Sequence, residues 1–548
     1  MTQGRRRVHS HPVWRPLDRG VAMLASRLLV ALIVVAVPFR VWADPPLVGN
    51  IVVNSSDDFD GTDDNPNQIC TLREAINNAD NHTQWSTDCP SGGTVQTNIT
   101  FAVDHVALNP AYGEISVNSS VYLQGPVTIQ GPIVGSRSRL LHVRSNGDLL
   151  LDRVSLQNGS ENGASGGAIL SEGTLTMILG TVQNNRADRG GALALYGKSS
   201  LYNVEFLAND ANLEGGAVWI ASSPEIAIRA STFNNNRTEA GAGSAIYVAL
   251  GNANTSIDQT AFFANLAGGL DGNGTVYASG TLNLKHSVFA HNTVEGAGGG
   301  GALYLTNGII ATLESDEFTE NTIEEFNVGA SGGAIHADGG IVLVDKSNIT
   351  ANQAFVGGGV YAAPGTFLSL VNTTVAKNRA ETAGVPSRSE SGNGAGIYGD
   401  DAEVGLFNVT VKDNVGRTQL TSQGPNATMR ISNSVVWSTT KSRNCGGSGA
   451  FDTLDLENFQ SIDAAGGSCP MPVVVKSAGK TFDPEETFVD PLGPPALPLT
   501  HHFWRPKTGS DLGATGDPDA CEDHDTVMGE DELGDPRPAC DIGAIETR

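Results

Sequence analysis

Residues 287–305 read SVFAHNTVEGAGGGGALYL. A phenylalanine stands three residues before an asparagine, a glycine run follows, and the chain re-enters an apolar alternation at Leu303. The same grammar recurs through the middle of the chain. Asparagines at 185, 209, 236, 265, 292, 321, 352, 378 and 414 each close such a unit, at intervals of 24 to 36 residues. Variants of Gly-Gly-Ala-aliphatic lie between them. A period of this size is the signature of a solenoid.

The columns of the repeat show what each unit buries. Eight residues before the asparagine the position is always aliphatic, as in Ile257, Leu284 and Leu313. Three residues before it stand Phe206, Phe233, Phe262, Phe289 and Phe318, flanked by Val182 and Ile349. Short apolar alternations interrupted by glycine fit strands and do not fit helical spacing. One coil cannot bury its apolar side alone, whereas a stack of coils makes a continuous core. These patterns predict an all-β chain: a right-handed parallel β-helix, a pectin-lyase-like solenoid, with handedness following the general rule for parallel crossovers. The asparagine is expected at a sharp turn, bonding the copies above and below it.

Outside the repeat the chain changes character. Residues 1–43 hold an apolar run from Leu28 to Phe39 ending in Val-Trp-Ala, the pattern of a cleaved secretory signal peptide, with either Met1 or Met23 as the start. The formal charge is −26 and becomes −32 once residues 1–43, with seven arginines and one aspartate, are removed. So acidic an exported chain is a poor partner for nucleic acid. No later apolar segment is long enough to span a bilayer as a helix. The cysteines Cys70, Cys89, Cys445, Cys469, Cys521 and Cys540 form three sequence-local pairs, expected as disulfides in an oxidising compartment. His501, His502 and His524, beside Asp523 and Asp525, match no tight metal spacing, so neither metal nor cofactor is expected.

Residues 44–98 read as an N-terminal cap, 99–440 as the β-helix and 441–548 as a C-terminal cap. In Cys70–Ala79, CTLREAINNA, the residues Leu72, Ala75, Ile76 and Ala79 form one helical stripe suited to covering the open end of a solenoid. The acidic stretch before it, SSDDFDGTDDN, reads as a solvated turn more readily than as a calcium loop. The segment resembles the CSLREA domain, with Thr71 at the second position of the motif. Arg537, Pro538 and Cys540–Glu546 resemble the ending of choice-of-anchor Q domains. The Phe-x-x-Asn and Gly-Gly-Ala units resemble the repeats of polymorphic outer-membrane proteins. Those resemblances imply a secreted or surface-displayed bacterial protein with an adhesive role and an anchoring tail.

Two outward columns are candidates for function. The residue after the re-entry aliphatic is Trp219, Tyr247, Tyr277, Tyr304, His336, Tyr361 and Tyr398 in seven consecutive coils. Strand alternation turns it outward. Such a strip either stabilises neighbouring strands or stacks on sugar rings of a glycan or other extracellular material. Beside it, the loops after the asparagine hold nearly all the length variation, notably in 322–331 and 379–393. The second column, seven residues before the asparagine, runs Arg229, Asp258, Lys285, Glu314 and Asp345, with His286 alongside. Its alternating signs fit surface ion pairs or, alternatively, the acid and base of a polysaccharide lyase or glycoside hydrolase. Binding without chemistry is the favoured reading.

Overall fold

The computed structural model describes residues 49–452 apart from 60–68, 83, 134–137, 222–223, 252, 271, 325–328, 381–392 and 440–441, together with 459–460, 469, 485–489 and 501–505. The signal-peptide reading of 1–43, Cys521 and Cys540, the choice-of-anchor ending and most of the longest loops lie outside these residues.

One coil illustrates the whole. A leading strand, Thr281–Lys285, buries Leu282 and Leu284 and turns its other residues outward. His286 bends the chain in the left-handed region at φ 47°. A three-residue trailing strand, Val288–Ala290, points Phe289 into the core, and a second left-handed bend at His291 precedes Asn292. A short strand, Thr293–Val294, leads to the glycine corner, and Leu303–Leu305 closes the coil. At that corner Gly300 adopts φ 66°, while a side chain on Gly301 would meet the Gly333 carbonyl at 2.2 Å. The first glycine is therefore required by backbone conformation and the second by the closeness of the next coil.

Coils stack in parallel register. Among the described residues the leading and trailing strands form one 27-stranded sheet, the short strands an 8-stranded sheet and the closing strands a 13-stranded sheet. The five phenylalanines pile face to face in the core at centroid separations of 4.6, 4.9, 4.3 and 5.2 Å. Burying each contributes about 1.5–3 kcal/mol. The all-β parallel solenoid expected from the repeat is thus the architecture of the molecule.

The asparagines form a continuous buried ladder. Asn292 donates from its backbone N–H and from Nδ2 to Oδ1 of Asn321 at 3.2 and 2.8 Å, and from Nδ2 to the Phe262 carbonyl at 3.0 Å. Its own Oδ1 receives the same two bonds from Asn265. The turn expectation needs one correction. The left-handed residue is the one before each asparagine, among them Ala264, His291 and Glu320. The asparagine itself supplies the bond that makes such a bend affordable for residues with a Cβ.

The N-terminal cap explains its motif residue by residue. Thr71 caps the helix Leu72–Asn81 in a reciprocal capping box with Glu74. Leu72, Ala75, Ile76 and Ala79 are fully buried on the first coils. Arg73 makes two 2.8 Å bonds to Asp58 and further bonds to the carbonyls of Tyr112, Gly113 and Glu114. Asp58 is consequently a buried partner, a correction to the solvated-turn reading of its segment. Cys70 is bonded to Cys89, and Cys445 to Cys469. No helix among the described residues is long and apolar enough to cross a membrane.

Candidate functional site

The closing strands place the aromatic column in direct register: Trp219 beside Tyr247, then Tyr277, Tyr304, His336, Tyr361 and Tyr398. Each ring follows an inward aliphatic residue, so alternation sends it outward. From Tyr247 to Tyr398 the rings stack at 4.7, 5.1, 4.6, 4.9 and 5.4 Å with small interplanar angles. Trp219 instead meets Tyr196 of the preceding coil at a tilt. Most of these rings are half-buried and Tyr398 is buried. Their faces are occupied by one another, and what remains toward solvent is a ridge of ring edges.

Carboxylates rim that ridge. Glu214 accepts from the Trp219 indole N–H at 3.3 Å and pairs with Arg189 at 2.9 Å. Asp400 accepts the Tyr361 hydroxyl at 3.0 Å. The Asp338 carboxylate lies beside the Tyr304 hydroxyl. Burial first, and then these carboxylates, push the phenols of Tyr247, Tyr277, Tyr304 and Tyr361 above the ordinary tyrosine range. They stay protonated and able to donate. His336 shares a 2.9 Å hydrogen bond with Ser331, and burial lowers its pKa to about 4 against the opposing pull of Asp338. At neutral pH the ridge therefore holds an uncharged imidazole between two phenols. Glu214, Asp338 and Asp400 escaped the sequence reading because they form no continuous column: Asp338 and Asp400 stand two residues after the aromatic position, where the other coils hold Ala221, Ala249, Ser279, Thr306 and Ala363, and Glu214 stands five before Trp219.

The charged column is also assembled as expected. Asp258, Lys285, Glu314 and Asp345 follow one another in register on successive leading strands. Asp258 pairs with Arg229 at 3.3 Å and with His286 at 3.0 Å, and Lys285 pairs with Glu314. These groups are partly exposed, and such pairs contribute little each. Asp345, the last member of that column, differs: burial first, with Glu314 adding, pushes its carboxyl to about 6 despite Lys346. Among the described residues no cluster of three or more His, Cys, Asp or Glu could hold a metal ion.

No protein-family model, curated protein or solved structure matches this chain.

Proposed function

We propose that the protein is exported and binds an extended neutral or amino-sugar glycan, without cleaving it, along the aromatic ridge. The observation that carries this reading is the unbroken outward stack from Tyr247 to Tyr398, with acceptors beside its hydroxyls. A pyranose chain laid along the solenoid axis advances by a step close to one coil, so each sugar meets an equivalent ring edge. Recognition is edge-on: phenol hydroxyls and the carboxylates Glu214, Asp338 and Asp400 exchange hydrogen bonds with sugar hydroxyls. The acidic rim and the net charge disfavour uronate polymers and tolerate amino sugars. The leader at 1–43 and the disulfides support export, and the resemblances of both ends and of the repeats to bacterial surface proteins support display at a cell surface.

The test is retention on insoluble neutral polysaccharides and on a glycan array. Tyr277→Phe with Tyr304→Phe is expected to weaken binding about tenfold while the melting temperature holds, because only hydroxyls are lost. Full binding by that double variant overturns edge-on recognition, and no binding by the wild type to any glycan overturns the reading. A second reading rests on Asp345, whose carboxyl burial raises to about 6 and which stands in register beside Glu314, the placement an acid–base pair of carboxylates needs. It calls for new reducing or unsaturated ends from a polysaccharide panel, abolished by Asp345→Asn.

A further inference from the structure

The rings of the ridge recur once per coil, but the carboxylates beside them do not. Register carries Ala337 onto Ala362 and then Gly399, so Asp338, Ala363 and Asp400 fall on one line. The two carboxylates are therefore two coils apart, roughly 10 Å, with only a methyl group between them. Asp338 acts on Tyr277, Tyr304, His336 and Tyr361, and Asp400 accepts the Tyr361 hydroxyl at 3.0 Å, so both lie on the ridge side. Both residues keep part of their surface in solvent. Glu214, farther along the ridge, has its charge matched by Arg189. No lysine or arginine pairs with Asp338 or Asp400 among the described residues. Accepting a phenol hydroxyl needs no charge, since an amide oxygen does it as well. Two carboxylates without a counter-ion, at a fixed spacing along a ridge, favour a ligand that carries cations at that spacing.

We infer that the ridge selects a β-1,4-linked glycan of gluco configuration with free 2-amino groups, Asp338 and Asp400 pairing with the amines of alternate sugars. This rests on the ridge being a glycan-binding surface. In such a chain both linkage bonds are equatorial, so it runs straight and each sugar is turned over relative to the last. The C2 substituents alternate sides and return to the same side at every second sugar. With one sugar per coil, the amines on one side recur every two coils, which is the spacing of Asp338 and Asp400. The sugar between them turns its amine away and passes over Ala363. An α-1,4-linked chain curls off a straight ridge after a few sugars. Acetylation removes the cation and adds bulk where the carboxylates stand, and a uronate brings like charge to both.

The experiment measures binding of hexasaccharides to the full chain at mildly acidic pH, where the sugar amines carry a proton. The probes are the β-1,4-linked 2-amino-glucose hexamer, its fully N-acetylated form, the β-1,4-glucose hexamer and the α-1,4-glucose hexamer. The amino hexamer is expected to bind about tenfold more tightly than either neutral β-1,4 hexamer, with the margin shrinking as salt rises. Asp338→Asn with Asp400→Asn keeps acceptors for the phenols and is expected to bring the amino and neutral affinities within about twofold of each other. Asp104→Asn with Glu205→Gln, at exposed positions on another sheet, is expected to keep the wild-type margin. Neutral β-1,4 hexamers bound as tightly as the amino hexamer, or a margin lost equally in that control, overturns the inference and leaves glycan binding at the ridge standing. Equal affinity for the α-1,4 hexamer overturns the linkage. Binding of no hexamer at all removes the ridge as a glycan site, and the inference with it.

Discussion

Asp316 stands in the middle of a run of hydroxyls. Ser231, Thr260, Ser287, Ser347 and Thr373 occupy the same place in neighbouring coils. Each donates its hydroxyl to the carbonyl two residues back, as Ser287 does to Lys285 at 2.7 Å, and accepts a backbone N–H from the preceding coil. Asp316 keeps the acceptor half, taking the Ser287 N–H at 2.8 Å on Oδ1, but its buried Oδ2 has no hydrogen-bond partner among the described residues. A neutral carboxyl restores the column, because a proton on Oδ2 can be donated as the hydroxyls donate theirs. Burial, with Glu314 and Asp258 adding, raises the Asp316 pKa well above 3.8. With the folded pKa above the unfolded one, the stability is fully present below 3.8 and is lost as pH climbs toward the folded value. Asp316→Asn supplies the donor permanently. It is expected to melt higher than wild type at about pH 8, by on the order of 1–3 kcal/mol of stability. Thermal melts across pH should show that advantage shrinking toward pH 4; a constant or reversed gap contradicts a protonated Asp316. None of this was legible in the sequence, since one aspartate in a Ser/Thr column reads as ordinary surface variation until its burial is known.

At the scale of the element, the cap helix shows how far sequence reading reaches. Its apolar stripe follows from spacing alone, and Leu72, Ala75, Ile76 and Ala79 are buried as that spacing requires. The role of Arg73 is not local: its partners Asp58 and the carbonyls at 112–114 come from loops 15 to 41 residues away. The same limit applies to the asparagine ladder. Nine members are regular enough to see, but Asn414 passes its bonds to Gln419, and Gln419 donates to Asn444. A longer side chain there takes over the asparagine's task from a different position, so periodicity could not find it. The aromatic column was visible as a column, but the stacking that leaves it only ring edges depends on rotamers. Arg73 yields a direct prediction. Arg73→Lys keeps the charge but lacks the planar fork that grips Asp58 while reaching three carbonyls. Losing those buried bonds should cost about 2–4 kcal/mol locally. Hydrogen exchange should then rise in Leu72–Asn81 and in the strand Asn50–Val53, with the middle coils unaffected; wild-type protection of the helix in Arg73→Lys would show the fork to be dispensable.

At the scale of the molecule, each coil touches its neighbours along one axis, so stability is a sum of coil and interface contributions rather than one cooperative block. The ladder runs through that sum as a thread of buried bonds, and cutting it tests how far a local loss travels. Asn292→Ala removes the acceptor for two donors of Asn265 and the Nδ2 that donates to Asn321 and to the Phe262 carbonyl, and keeps only the backbone N–H bond to Asn321. The remaining groups stay buried at the coil interface without water to replace the lost partners. A penalty of roughly 3–5 kcal/mol follows from that desolvation. In a globular core such a loss lowers a single melting transition. In a rod it weakens the interfaces on either side of one coil, so the stack should divide there. Calorimetry of Asn292→Ala is expected to resolve two transitions where the wild type has fewer. Exchange should rise first in the coils ending at Asn265 and Asn321 while those ending at Asn185 and Asn209 stay protected. A single transition with uniform loss of protection would mean that the rod is bound into one unit, and the nearest-neighbour description of its stability would have to be abandoned.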